Sequence, residues 1–284
     1  DLAIQRDAND LVAASFGRSF YILDDYSFLR DIDSDVLGKD AALFGARDAY
    51  LFRLRRDGRQ KSGSLGGQHF YGKNPEHGAT FTYYIKENTK TAAQEREEKE
   101  QELNKEGKDV PFPSWAVLAQ EKYSEVPHYW MVISDSKGNV LRRLRLKNTK
   151  GMHRVTWDMK ATSQMPVQSN TKNENDKTGQ WYVAPGTYKA TMFVLKAGDF
   201  SAIGEAQEVT LKPLNKSTIA PKPAAEKEAF LASYMSAQLR RSKLNLRFSK
   251  VQNNAKALLV AEQRVEAEKS GEYNELLVLS KSID

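Results

Sequence analysis

The sequence predicts a mainly β protein with an α-helical C-terminal part, and three observations carry that prediction. Short runs in which apolar and polar residues alternate recur through the first 212 positions, the period of half-buried strands. Turn residues separate those runs, as in Ser134-Asp135-Ser136-Lys137-Gly138-Asn139 and Ala184-Pro185-Gly186. From Pro221 onward the apolar spacing lengthens to four and seven, the spacing of helical seams.

Composition sets the outer bounds. A chain of 284 residues exceeds one typical domain and predicts two or three units. The shares of 28% charged and 40% hydrophobic residues are those of a globular protein. No apolar run approaches the roughly 20 residues of a membrane-spanning helix. Cysteine is absent, which excludes disulfides, thiolate zinc sites and cysteine nucleophiles within these residues. The net charge of +6 is spread over several elements, so it reads as solubilising charge, with no nucleic-acid partner expected. The sequence opens at Asp1-Leu2-Ala3-Ile4, already inside an alternating pattern and without Met. Further residues are therefore expected before it, and the short helical pattern at its other end leads to the same expectation after Asp284.

Residues 1–30 read as closing strands of a sheet. Residues 1–26 of these read as two short strands: Leu2 and Ile4 alternate, Leu11-Val12-Ala13-Ala14-Ser15 follow a turn, and Phe20-Tyr21-Ile22-Leu23 resume the pattern after Gly17-Arg18-Ser19. So short a strand set cannot stand alone and must complete a larger sheet. Residues 31–86 read as an extended crossover (Asp40 to Phe44, Ala49 to Arg53), a glycine-rich loop and the first strand of a sandwich at Ala79-Thr80-Phe81-Thr82-Tyr83-Tyr84-Ile85-Lys86. Residues 87–112 are polar all round, with Gln94-Glu95-Arg96-Glu97-Glu98-Lys99-Glu100-Gln101-Glu102 at their centre. Such a segment projects into water as a helix or stays disordered, and Pro111 and Pro113 are expected to end it.

Residues 113–214 read as an antiparallel β-sandwich. Val155, Trp157 and Met159 share one strand face, and so do Tyr188, Ala190, Met192 and Val194. Trp157 is expected to fill the core. Residues 221–284 read as a helical hairpin, because Phe230/Tyr234 and Leu231/Met235/Leu239 form one seam and Leu244, Val251, Leu258 and Val265 form another. Gly271 is a plausible stop before a third helix over 272–282.

The stretch Asn9-Asp10-Leu11-Val12-Ala13-Ala14-Ser15-Phe16-Gly17-Arg18-Ser19-Phe20-Tyr21-Ile22-Leu23-Asp24-Asp25 resembles the last-blade signature of large bacterial β-propeller proteins. Those are labelled BNR-repeat, sortilin-like (VPS10-type) or glycosyl hydrolase proteins. Ser15-Phe16 stands here where that family has Thr-His. The loop Gly72-Lys73-Asn74-Pro75-Glu76-His77-Gly78-Ala79, followed by a Tyr-rich strand, resembles the same family. The hairpin at Lys137-Gly138-Asn139, the Trp157-Asp158 pair and Pro185-Gly186-Thr187-Tyr188 resemble the immunoglobulin-like module of the flagellar hook-capping protein, a FlgD-like sandwich. The resemblance implies an extracytoplasmic, non-catalytic structural and protein-interaction module, in the periplasm, at the cell surface or secreted. Its partners would be its own propeller and other envelope proteins. The alternative it implies is the accessory C-terminal region of a glycoside hydrolase or peptidase-like enzyme whose active site lies on the propeller.

No residue pattern defines a catalytic centre, a cofactor site or a metal site. The four histidines, His69, His77, His128 and His153, match neither an i, i+4 zinc pair nor a His-Glu-x-x-His motif. His69 and His77 flank one loop and are the pair best placed to meet. A glycosidase needs two carboxyl groups about 5–9.5 Å apart, and neighbours such as Asp24-Asp25 point to opposite faces of a strand. Asp31-Ile32-Asp33-Ser34-Asp35 lacks the Gly and Glu of a calcium loop, since Val36 and Ala42 occupy those places. These acids read as helix or turn caps. Asn173, Asn175 and Asp176 are loop oxygens without a defined ligand geometry. Ser134-Asp135-Ser136-Lys137-Gly138 departs from the Asp-box of sialidases and reads as a hairpin turn. Gly63-x-x-Gly66-Gly67 lacks the Lys-Ser/Thr of a phosphate loop, and Arg53, Arg55, Arg56 and Arg59 beside Phe52 read as an ordinary two-faced strand.

Overall fold

The computed structural model describes residues 1–52, 74–124, 126–163, 165–166, 180–196, 198–214 and 222–264, and four of residues 274–278. The protein is mainly β with helices, as the alternation predicts. It divides into two compact units, Asp1–Thr162 with Gln180–Pro221, and Ser163–Gly179 with Lys222–Asp284.

The first unit opens with an antiparallel meander of β1 (Leu2–Gln5), β2 (Asp10–Ala14) and β3 (Phe20–Leu23). The turns use left-handed residues, Asn9 (φ +54) before β2 and Gly17 (φ +74) before β3. The short helix α1 (Ser34–Gly38) begins at Asp33, whose carboxylate accepts the Val36 N–H at 2.7 Å.

Two further sheets share one core. A three-stranded sheet runs β4 (Ala41–Leu43), β6 (Ala79–Ile85), β9 (Gly151–Trp157), and between β4 and β6 in sequence lies β5 (Ala49–Leu51). A five-stranded sheet takes the order β5, β13 (Asp199–Pro213), β12 (Gly186–Lys196), β7 (His128–Ser134), β8 (Val140–Arg145). A small pair, β10 (Lys160–Ala161) and β11 (Trp181–Tyr182), adjoins them. From the first sheet come Phe81, Tyr83, Ile85 and Trp157; from the second come Met131, Ile133, Ala190, Met192 and Leu211. Each of these is at most 1% exposed. The face predicted for Tyr188, Ala190 and Met192 is buried, and Trp157 fills the core as expected. Its indole N–H donates to the Lys160 carbonyl at 2.9 Å, and its ring meets Tyr188 edge to face at 5.3 Å.

The segments read as an extended crossover are strands of this core instead. Ala41–Leu43 pairs antiparallel with β6, and Ala49–Leu51 pairs parallel with β13. Three-residue strands are too short to show a period, so the crossover reading had no alternation to weigh against it.

The polar segment after β6 folds as α2 (Ala92–Lys105), and a second helix, α3 (Trp115–Tyr123), occupies residues expected to begin the sandwich at 113, whose first strand in that stretch starts only at His128. Thr91 and Gln94 form a reciprocal capping box at the start of α2, and Ser114 caps α3. The prolines 111 and 113 occupy the connection, where they cost no helical hydrogen bond. Arg96 joins the two helices, its Nε donating to Glu121 at 2.9 Å and its Nη1 to Glu100 at 2.6 Å.

In the second unit, α4 (Ala224–Arg264) is one continuous helix of 41 residues. The two seams predicted as separate arms therefore lie on the same helix up to Arg264. Arg240-Arg241-Ser242-Lys243 between the seams contains no glycine or proline, and nothing there stops propagation. Val265 and Gly271, and most of the predicted third helix, lie outside the described residues.

Candidate functional site

Among the described residues, those singled out for chemistry lie on separate elements. His77 is beside Phe52, with ring centroids 4.3 Å apart, and its Nε2 is buried without a hydrogen-bond partner among the described residues. Burial lowers its pKa, which favours the neutral ring. His153 lies on β9, where Nε2 meets the Thr149 carbonyl oxygen at 2.7 Å and the ring leans on Tyr83. His128, on β7, contacts the Arg145 guanidinium across to β8. His69, the Gly63-x-x-Gly66-Gly67 run, Arg53, Arg55, Arg56, Arg59, Asn173, Asn175 and Asp176 lie outside the described residues. Among the described residues no three His, Asp or Glu side chains gather as a metal cluster, and no helix is long and apolar enough to cross a membrane.

Asp24 and Asp25 form a corner. The backbone carbonyl oxygen of each accepts from Arg154, at 3.0 Å for Asp25. Asp25 Oδ1 accepts from the Ser27 hydroxyl at 2.6 Å, and Asp10 Oδ1 accepts the Asp25 N–H at 2.9 Å. Asp10 also pairs with Arg47 at 3.2 Å. These bonds, with the Phe28–Phe44 ring contact at 6.1 Å, tie the meander to the shared core. Of the acids around residue 31, Asp33 is the cap of α1. Asp135 organises the β7–β8 hairpin. Its Oδ1 accepts from the N–H of Lys137 and Asn139 at 2.9 and 2.8 Å, and Gly138 takes φ +84.

What remains are surfaces, and two stand out. The first is the meander. Its register places Leu2, Ile4, Leu11, Ala13, Tyr21 and Leu23 on one face, and Val12, Ala14, Phe20 and Ile22 on the other. Both faces carry exposed apolar side chains, and Gln5 and Asp10 share the second face at its β1–β2 end. Leu2 is 71% exposed on one, and Phe20 and Ile22 are 71% and 61% exposed on the other. The sequence signal for apolar side chains on both faces of β3 was present, since residues 20–23 are four consecutive apolar residues with no polar position among them.

The second surface is a groove of about 1410 Å³ in the first unit. Its floor includes Tyr129 and Val194, and its sides are the edge of β4, residues 202–207 of β13 and one face of α2. Burial raises the Tyr129 pKa, and the nearby Asp40 carboxylate raises it further. Sequence reasoning missed this groove, because segments distant from one another in sequence build it.

These observations describe a mainly β protein with helices and two exposed surfaces, the meander and the groove. No protein-family model, curated protein or solved structure matches the sequence.

Proposed function

We propose that this protein is a non-catalytic structural and protein-interaction part of an extracytoplasmic bacterial β-propeller protein. In this reading residues 1–30 are closing strands of the last blade, the shared core is an immunoglobulin-like brace, and other envelope proteins are its partners. The observation that carries the proposal is the meander with two exposed apolar faces. A propeller blade is covered on both faces by neighbouring blades arranged around the axis, and a sheet meant for that place carries apolar residues on both sides. Contiguous apolar exposure of this kind marks a contact surface. The corner of Asp10, Asp24, Asp25, Arg47 and Arg154 would then transmit blade position to the brace.

The test is to clone the gene with everything encoded upstream of Asp1. The expected result is a series of β-repeats there, and amide exchange at Val12 and Ile22 that slows by orders of magnitude when those repeats are present. A start codon directly before Asp1, or upstream sequence that leaves exchange in the meander unchanged, overturns the proposal.

A further inference from the structure

We infer that the exposed side of α4 is a docking face for a phospholipid surface with anionic headgroups, on which the helix lies flat. The inference rests on α4 alone and goes beyond the interaction role proposed above.

Charge supplies the first argument. Between Glu228 and Glu262, α4 contains Arg240, Arg241, Lys243, Arg247, Lys250 and Lys256 and no acidic residue. These six cations equal the net charge of +6, so the rest of the chain balances. Basic residues occur on several elements, but their excess over acids resides in this one stretch. Glu228 and Glu262 stand at least six residues from the nearest of the six, beyond the i, i+4 reach of helical ion pairs. An anionic partner is what such a stretch attracts.

An apolar stripe supplies the second argument and selects among anionic partners. Phe230, Tyr234, Ala237, Arg241, Leu244, Phe248 and Val251 follow one another at alternating steps of four and three, which keeps them on one side of a helix. All seven are exposed, and Phe230, Leu244, Phe248 and Val251 are each more than half exposed. Met235 is buried, and Leu244, nine residues further on, lies about two and a half turns away, on the opposite side. The stripe is thus open for about 30 Å along the helix. A one-residue step turns a helix by about 100°. Arg240, Lys243, Arg247 and Lys250 each precede a stripe position by one residue, so all four line one border of the stripe. Their aliphatic stems can lie along apolar surface while the charged heads reach phosphate, the arrangement of a helix lying in a membrane interface. A nucleic acid would engage the cations and leave Leu244 and Phe248 wet. A second copy would set six cations against six. A protein groove encloses the sides of its helix as well as the stripe, and burial at Met235 makes a plane the better fit.

The experiment is flotation of this protein with large unilamellar vesicles, one set of phosphatidylglycerol and phosphatidylcholine in equal parts and one of phosphatidylcholine alone. The expected result is partition onto the anionic vesicles that rising salt weakens, with little onto phosphatidylcholine. Arg247→Gln/Lys250→Gln is expected to lower the partition coefficient about thirtyfold, at about fivefold for each cation. Leu244→Gln/Phe248→Gln leaves the charge unchanged and is expected to lower it about tenfold or more. Both variants alter exposed positions, and thermal melting checks that they stay folded. Absence of partition onto the anionic vesicles overturns the inference, as does equal partition onto both sets. So does partition that either variant leaves unchanged. Indifference to Arg247 and Lys250 would place the contact elsewhere in the protein, and indifference to Leu244 and Phe248 would leave charge alone, as for a nucleic acid. A dimer in solution that Leu244→Gln/Phe248→Gln dissociates also overturns it, because the stripe would then belong to a second copy.

Discussion

In the β4–β6–β9 sheet, Phe81, Ile85 and Trp157 are fully buried, while in the β1–β2–β3 meander Leu2 and Phe20 are each 71% exposed. Both sheets are antiparallel and both are rich in β-branched and aromatic residues. The difference lies in what faces them. The first sheet meets the five-stranded sheet across a common core. The meander is held by its rim, through Arg47 and Arg154, with exposed apolar side chains on both faces of β1 and β3. Pattern determines that a segment becomes a strand, whereas the elements around it determine whether that strand contributes to stability.

The largest effects are expected where the core is closed. Trp157→Ala should destabilise the first unit by about 3–5 kcal/mol, and Ile133→Ala by about 2–5 kcal/mol, read by chemical denaturation. An unchanged midpoint in either would show that the two sheets do not share a cooperative core. Gly78→Ala comes next. Gly78 takes φ +154, and a Cβ there would lie 2.1 Å from the Trp157 carbonyl oxygen, a backbone atom that cannot swing aside. The expected loss is about 1–3 kcal/mol, in the range of overpacked cores. Strand slippage between β6 and β9 would appear as faster amide exchange at Phe81 and Tyr83.

The parts legible in the sequence are those whose information is local. Tyr188, Ala190 and Met192 alternate on one strand, and their burial follows from period two. Asp135 and Gly138 specify a turn by their own conformations. The parts not legible depend on partners distant in sequence. Nothing in Ala49-Tyr50-Leu51 announces a parallel pairing with Leu211-Lys212-Pro213. The groove unites Ala41, Glu98 and Val194, which no spacing rule connects. The helical seams are visible in the spacing, but seams alone do not mark breaks. Arg240-Arg241-Ser242-Lys243 offers no stop signal, and α4 runs through it.

A smaller effect separates turn chemistry from core packing. Burial by itself raises the Asp135 pKa, but hydrogen bonds from Asn139 and Lys137 outweigh it, so the net shift is downward from 3.8. A depressed carboxylate pKa contributes stability that is present above the unfolded value and lost as pH falls through the folded one. Wild type should therefore melt above Asp135→Asn at neutral pH. The gap should narrow as pH drops below 3.8. A gap that stays constant would mean that the turn holds without its charge.

The smallest expected effect is the most informative about the meander. Ile22→Ala removes the same methylene and methyl groups as Ile133→Ala, yet Ile22 is 61% exposed and Ile133 is fully buried. In this protein Ile22→Ala should cost less than about 0.5 kcal/mol, the range of surface substitutions. With upstream blades present it should approach the cost at Ile133, because the neighbouring blade would then bury the isoleucine. A cost that is already large without upstream blades would mean that the meander is packed without any neighbour. A cost that stays small in the longer protein would mean that the face containing Ile22 remains open. Measuring the same substitution in both settings thus tests whether a neighbouring blade is the variable that distinguishes the two sheets.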